Sequence, residues 1–395
     1  MHHIKMAAPQ PQHYPCQGNP ACDDKRSFSP PHGILATSRY LPRLRLERAK
    51  ILAQHRWMAP GLRGLAKGQR TLANWDEDSV TMAVEAGRAL QRALPGSAFA
   101  SFSLASTTLP FGNRLNAGIA AAALGLPRAA LLRDLTSSAR AALTELAAAL
   151  RQATPGHHAV VAAERRIARP ASAQEMILGD GAAGVLVGTG APLATLVAHA
   201  SRHADLVDHF ALLLRRTDQP CQAALPEAGR SEKSYMKLLS FTGQIDLEWG
   251  MRAEMDNKTA LTAAWRDHAR AARFEAGRCG ACGTVQFPRA HLCVNPDCRA
   301  QDQQAGLSLV DVPARVLSHT SDFLAYTPNP PFQFGHVDFE GGGRVMMEFA
   351  DTDADELAVG LPLRMVYRVK DIDRLRGYRR YFWKATPVRG DLGGN

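Results

Sequence analysis

The chain has 395 residues, 46% of them hydrophobic, and a formal net charge of +10, and that length suffices for two or three domains around sizeable cores. No run approaches the roughly 20 apolar residues of a membrane span, and no apolar signal core opens the chain, so the expectation is a cytoplasmic protein with no membrane role. The positive charge suits polyanionic partners, but nucleic acid, the phosphates of coenzyme A and a plainly solvated basic surface all satisfy it.

In chain order, residues 1–32 are rich in Pro, His and polar residues without periodicity, as in Pro9-Gln-Pro-Gln12, and are expected to form a disordered extension. The apolar run 33–42, closed by proline, reads as a first strand, and a basic helical stretch follows it. Trp75-Asp-Glu-Asp78 then offers acidic first-turn residues to a helix whose Ala83, Gly87, Leu90 and Leu94 share a face and which stops at Pro95-Gly96. A strand over 97–105, a small-residue helix over 113–124, a strand over 129–132 and a helix over 138–152 continue the alternation. Strands over 158–163, 184–187 and 193–198 complete it, and the pattern argues for an α/β layered sheet.

The span 215–256 is polar, with Pro220, Pro226 and Gly229, and reads as a linker. Residues 257–274 carry Leu261, Ala264, Trp265 and His268 at helical spacing. Beyond residue 304, short alternating segments at 314–318, 333–339, 344–349, 363–369 and 378–385, two of them joined by the turn Glu340-Gly-Gly-Gly343, suggest a small all-β barrel of the OB type over 305–390.

Between helix and barrel, Cys279-Gly-Ala-Cys282 and Cys293-Val-Asn-Pro-Asp-Cys298 supply four thiols in two close pairs. Tight knuckles, helped by Gly280, Gly283 and Pro296, let the sulfurs converge on one ion. Four thiolates suit tetrahedral Zn(II) with no open position, hence a structural metal. Iron would use the same ligands, so zinc is preferred on availability and ligand softness. Two disulfides, or four unrelated core cysteines, are the competing readings. Cys16, Cys22 and Cys221 are scattered singles, which fits a reducing compartment.

Three segments carry a resemblance: Ala105-Ser-Thr-Thr-Leu-Pro-Phe111, Asp134-Leu-Thr-Ser-Ser-Ala-Arg-Ala-Ala-Leu143 and Gly179-Asp-Gly-Ala-Ala183. Their order resembles that of thiolase-superfamily condensing enzymes, in the hydroxymethylglutaryl-CoA synthase and ketoacyl synthase III branch, over residues 33–208. The resemblance implies an α/β thiolase-like layered domain over 33–214, with a strand ending in an elbow and a nucleophilic cysteine at the start of the next helix. Counted from Asp134, that position falls on Ala139, and no cysteine lies between Cys22 and Cys221. Ser137 and Ser138 stand just before it and, with Asp134, are the substitute catalytic candidates; the serines also read as helix caps, and Asp134 and Asp180 as fold-stabilising acids. The family's second half, which brings a catalytic His and Asn, has no counterpart, since His199, His203 and His209 lack its context. The domain therefore reads as partial, a first half completed by another chain or left incomplete.

The segment Arg278-Cys-Gly-Ala-Cys-Gly-Thr-Val-Gln-Phe-Pro-Arg289, with the helix before it and the barrel after it, resembles the DUF35 family of acyl-CoA-associated proteins over 257–388. This implies a rubredoxin-like zinc ribbon over 257–304 and an OB-fold barrel, partnered with or fused to thiolase-like proteins. Together the resemblances imply an acyl-CoA-handling protein that forms or cleaves a carbon-carbon bond next to a thioester without a cysteine nucleophile. Acyl-CoA would be its substrate or ligand, and the chemistry acyltransferase or aldolase-type. They also imply a homo-oligomer or a hetero-complex with a thiolase-like chain. The alternatives are a non-catalytic scaffold or partner subunit, and a single-stranded nucleic-acid binder using Phe323, Tyr326, Phe332, Tyr367, Tyr378, Tyr381, Phe382 and Trp383 beside Arg364, Arg368, Arg374, Arg376, Arg379 and Arg380. Because alternate strand residues point to opposite faces, many of those aromatics are expected inside the barrel, which makes nucleic acid the weaker partner.

Overall fold

The computed structural model describes residues 2–7, 31–201, 261–302, 304–325, 327, 329–373 and 378–389. The expected linker over 215–256, His203, His209 and the cysteines outside the ribbon lie outside the described residues. Among the described residues no helix is long and apolar enough to cross a membrane.

The first elements are β1 (His2–Ala7), β2 (His32–Tyr40), β3 (Leu44–Glu47), α1 (Arg48–His55), β4 (Gln69–Leu72), α2 (Ser79–Ala93) and β5 (Phe99–Ala105). They continue through α3 (Asn116–Ala123), β6 (Leu131–Leu135), α4 (Ala141–Gln152), β7 (His157–Glu164), α5 (Ala173–Ile177), β8 (Gly181–Thr189) and β9 (Thr195–Ser201). The expected α/β sheet is present as five strands in the order β2-β8-β7-β5-β6. β5 runs parallel to β6 and β7, while β8 is antiparallel to β7 and β2. Ala159, Val160 and Val161 of β7 are all buried, and burial on both faces of a strand requires helices on both sides of the sheet. α2 and α3 pack on each other and on the sheet, and α4 packs on β5, β7 and β8.

Two expectations are corrected here. β1 falls within the segment expected to be disordered, and it pairs antiparallel with β9. Of the strand expected over 193–198, Leu193 and Ala194 hydrogen-bond with Ile34 at the edge of the main sheet, and the rest, in β9, forms a two-stranded ribbon with β1.

α2 is fixed at its start by local chemistry. The Asp78 carboxylate accepts from the Val80 and Thr81 amides, and the Thr81 hydroxyl accepts from the Asp78 amide, a reciprocal capping box. The acids expected in its first turn thus precede the helix. On its buried face a Cβ at Gly87 would lie 2.7 Å from Leu124 Cδ1, so glycine is what lets α2 and α3 approach.

The second part comprises α6 (Leu261–Arg266), α7 (His268–Arg273), β10 (Glu275–Cys279), β11 (Val285–Gln286), β12 (Gln304–Ser308), β13 (Ala314–Asp322), β14 (Phe332–Phe339), β15 (Arg344–Glu348), β16 (Pro362–Asp373) and β17 (Tyr378–Pro387). The single helix expected over 257–274 is broken at Asp267 into two short ones, and Phe274 ends the second in the left-handed region at φ 49°. β11, β10 and β12 make the ribbon sheet. The five barrel strands fall where alternation places them, in the order β15-β14-β13-β16-β17. The two outer strands meet through a Phe349–Ala385 bridge, which closes the barrel. One apolar cluster runs from Phe102 and Val161 of the sheet through Leu90 of α2 to Phe339, Met365 and Trp383 of the barrel.

Candidate functional site

The four ribbon cysteines come together. Their sulfurs all lie within 4.8 Å of one another, with Cys279 Sγ 3.9 Å from Cys298 Sγ and Cys282 Sγ 3.6 Å from Cys293 Sγ. A disulfide would need a separation of about 2.05 Å, so the paired-disulfide reading is overturned and all four are free thiols. Tetrahedral bonds of ~2.3 Å from one zinc would put sulfurs about 3.8 Å apart, the spacing seen. The first knuckle is closed by the Gly283 amide on the Cys279 carbonyl and the Cys279 amide on the Thr284 carbonyl, both at 2.9 Å. Gly283 supplies the required positive φ of 77°. In the second knuckle the Cys298 and Arg299 amides both donate to the Asn295 carbonyl at 3.1 Å. Gln286 ties the two together, donating to the Leu292 carbonyl and accepting from the Val294 amide.

The elbow between β6 and α4 is the second predicted site. Ser137, Ser138, Ala139 and Arg140 are all exposed. Ser138 Oγ accepts from the Arg140 amide at 3.2 Å, which closes a turn before α4 and leaves the helix itself without a side-chain cap. Among the described residues no acid or histidine hydrogen-bonds either serine. Asp134 is fully engaged elsewhere: its carboxylate accepts from the Asn116 and Ala117 amides at 2.7 Å and so anchors the start of α3. Asp180, 4% exposed, accepts from the Ala73 amide at 2.7 Å and the Arg166 amide at 3.2 Å. Burial pushes its carboxyl above the usual range despite those bonds and Arg165. His199 lies on β9, which pairs with β1. Neither acid is placed as a catalytic base.

Sequence reasoning missed a cluster of buried charges at the seam where α2 meets the barrel. The Asp-Glu-Asp run before α2 points into it. Lys384 Nζ lies 3.0 Å from both Asp76 Oδ2 and Glu348 Oε2 and 4.3 Å from the centre of the Trp75 ring. Arg368, 1% exposed, pairs with Glu77 and Asp351, and Tyr40 donates to the same Glu77 carboxylate. Asp78 accepts from Arg379 at 2.9 Å and from the Tyr381 hydroxyl at 2.8 Å. Arg88 of α2 reaches the Met365 carbonyl at 2.6 Å and Asp311 at 2.7 Å.

Burial works to lower the Lys384 pKa, but the Asp76 and Glu348 carboxylates prevail and hold it above the usual lysine range. Arg368 is likewise raised by Asp351 and Glu77 against the cost of burial. Burial pushes the Tyr40 and Tyr381 phenols well up. The signal available in the sequence was an arginine and a lysine standing among apolar neighbours in Met365-Val-Tyr-Arg-Val369 and Phe382-Trp-Lys-Ala385. The same geometry removes part of the supposed nucleic-acid platform: Tyr367, Tyr381 and Trp383 are buried, and Arg368, Arg379 and Arg380 are paired with Glu77, Asp78 and Asp371, whereas Phe323 is exposed and Phe332, Tyr378 and Phe382 are half-buried.

Comparison with known proteins adds the following. Residues 266–302 match the family model described as ChsH2, rubredoxin-like zinc ribbon domain, and residues 313–368 match that of the ChsH2, C-terminal OB-fold domain. A DUF35 domain-containing scaffold protein of Methanocaldococcus jannaschii is 25% identical over 114 residues, covering 28% of this chain and 79% of that protein. A protein of the same description from Methanothermobacter thermautotrophicus is 25% identical over 134 residues, 33% of this chain and 97% of that one. Among solved structures, MvaS in complex with 3-hydroxy-3-methylglutaryl coenzyme A is similar at 22% identity, with a TM-score of 0.37, over 42% of this chain. The chain spans 41% of the length of that synthase.

Proposed function

We propose that this chain is a non-catalytic, acyl-thioester-handling partner of a thiolase-like chain, with structural Zn(II) in its ribbon. The observation that carries this reading is the elbow: Ala139 and the adjoining serines are exposed and, among the described residues, have no base, while both nearby carboxylates are spent on backbone amides. Covalent acyl transfer needs a nucleophile activated by a base within hydrogen-bond reach, and the described residues offer none at this place. The description of the DUF35 relatives as scaffold proteins supports the same reading. So does the buried seam, whose ion pairs join the barrel to the α2 end of the α/β sheet. Carbon-carbon bond chemistry then belongs to the assembly, with this chain positioning the thioester.

The test is to incubate the purified chain with acyl-CoA thioesters and follow both intact protein mass and release of free coenzyme A thiol. The expected result is no acyl adduct and no thiol release by this chain alone. An adduct mapping to Ser137 or Ser138, or steady thiol release, would replace the partner reading by an enzyme.

A further inference from the structure

The edge strands of the barrel, β15 and β17, meet at the Phe349–Ala385 bridge, and beside that bridge lies a cleft of about 280 Å³. Its walls are aromatic and thioether groups: Met346 and Met347 from β15, Phe382 and Trp383 from β17, Phe332 and Phe334 from β14. The Phe332 and Phe334 rings stand 5.3 Å apart, tilted at 33°. Such a wall takes a flat or chain-like apolar group, and methionine adapts to its shape. A cavity of roughly 150 Å³ already holds a benzene ring, so this one has room for a ring with a side arm or for an acyl chain of medium length.

Two lysines border the cleft, and their charges differ in availability. Lys384 is neutralised by Asp76 and Glu348. Lys370 is exposed, has its Nζ 5.5 Å from the centre of the Phe382 ring, and among the described residues pairs with no carboxylate. An apolar slot with one uncompensated cation at its mouth is complementary to a ligand with an apolar body and an anionic head.

We propose that this cleft seats the acyl group of a thioester ligand, an apolar chain or ring of medium size, with Lys370 attracting the anionic head outside it. The proposal rests on the acyl-thioester reading above for the identity of the head. A free carboxylate shares the same chemistry of apolar tail and anion, and the experiment separates the two.

The experiment is calorimetric titration of the full zinc-loaded chain with decanoyl-CoA, decanoate and free coenzyme A. It is repeated on Met346→Trp, which narrows the mouth, and Lys370→Glu, which reverses its charge; both side chains are exposed, so neither change threatens the fold. Decanoyl-CoA should bind wild type and lose about tenfold in affinity in Met346→Trp, the equivalent of roughly two buried methylenes. Lys370→Glu should weaken it at low salt and less so at high salt. Decanoate binding as tightly as decanoyl-CoA, with the same sensitivity to both variants, supports the cleft and assigns the head to a carboxylate. Decanoyl-CoA binding that neither variant alters overturns the cleft while the acyl-thioester reading stands. Failure of wild type to bind either acyl compound overturns both.

Discussion

The cysteine ribbon and the seam between α2 and the barrel are both held together by polar groups, yet they are built over opposite distances in the chain. The ribbon closes within the span from Cys279 to Cys298, and its knuckles are local turns around Gly283 and Asn295. The seam joins residues such as Asp76 and Lys384, 308 positions apart. If the four thiolates hold zinc as proposed, an ion replaces a core in the ribbon and local order is conditional on the metal. In the seam the charges lie within a core already formed by α2 and the barrel strands, so each depends on its partner remaining in place.

The largest effect separating the two regions should come from the metal. Chelation, or Cys279→Ser together with Cys282→Ser, removes the ion, and zinc binding to such small units is worth ~10–16 kcal/mol coupled directly to their folding. The expected outcome is one equivalent of zinc per chain by elemental analysis and a lost or shifted thermal transition after removal. An unchanged transition in metal-free protein would contradict the structural role of the four cysteines.

Next is Arg368→Met, which removes the buried cation that Glu77 and Asp351 share. Breaking a buried pair from one side costs about 3–5 kcal/mol, and denaturant melts should show a loss of that order. Adding Glu77→Gln and Asp351→Asn should recover part of it. If the triple variant is no more stable than the single one, the seam does not work as a charge network.

The same seam predicts a pH response. Tyr40, Tyr381 and Lys384 all have folded pKa values above their ordinary ones. A raised value means that the native state holds its proton more tightly than the unfolded chain. The resulting stability is therefore complete below the unfolded values near pH ~10 and falls as pH climbs through the folded ones. Thermal midpoints should be flat with respect to these groups between neutrality and pH ~9 and fall above pH ~10. A decline already in progress at pH ~8 would point to other groups.

A smaller loss is expected from Gly335→Ala in β14, where the added Cβ would sit 2.0 Å from the Ser318 carbonyl oxygen across the β13 bulge. That overpacking should cost about 1–3 kcal/mol by denaturant melt. The smallest effect belongs to Arg344→Ala, which breaks the exposed pair with Asp338 and should leave the denaturant midpoint almost unchanged. If these two variants ranked the other way round, surface charge would matter more than backbone fit in this barrel.

How much of this was legible follows from distance along the chain. The ribbon was readable because spacing alone brings sulfurs together, and the barrel strands because alternation and the Gly341-Gly-Gly343 turn are local signals. The sheet elements were found with their ends displaced by a few residues, as at β6, expected over 129–132 and observed over Leu131–Leu135. The seam was not legible. Asp76 and Glu77 carry the pattern of a helix start, Arg368 that of a basic groove and Lys384 no pattern at all, so only the fold reveals that they neutralise one another. The Ala139 elbow was visible as a departure from a resembled pattern, but its exposure, and the engagement of Asp134 with α3, depended on tertiary structure.

The most direct test of the account is thermal stabilisation of the zinc-loaded chain by a panel of acyl-CoA thioesters, with free coenzyme A and single-stranded oligonucleotides beside them. A ligand that binds only the folded state must raise its stability as occupancy rises. The account predicts a transition that moves up with acyl-CoA, more than with free coenzyme A, and does not move with oligonucleotide. A shift with oligonucleotide alone, disappearing as salt is raised, would contradict it and make the barrel a nucleic-acid module.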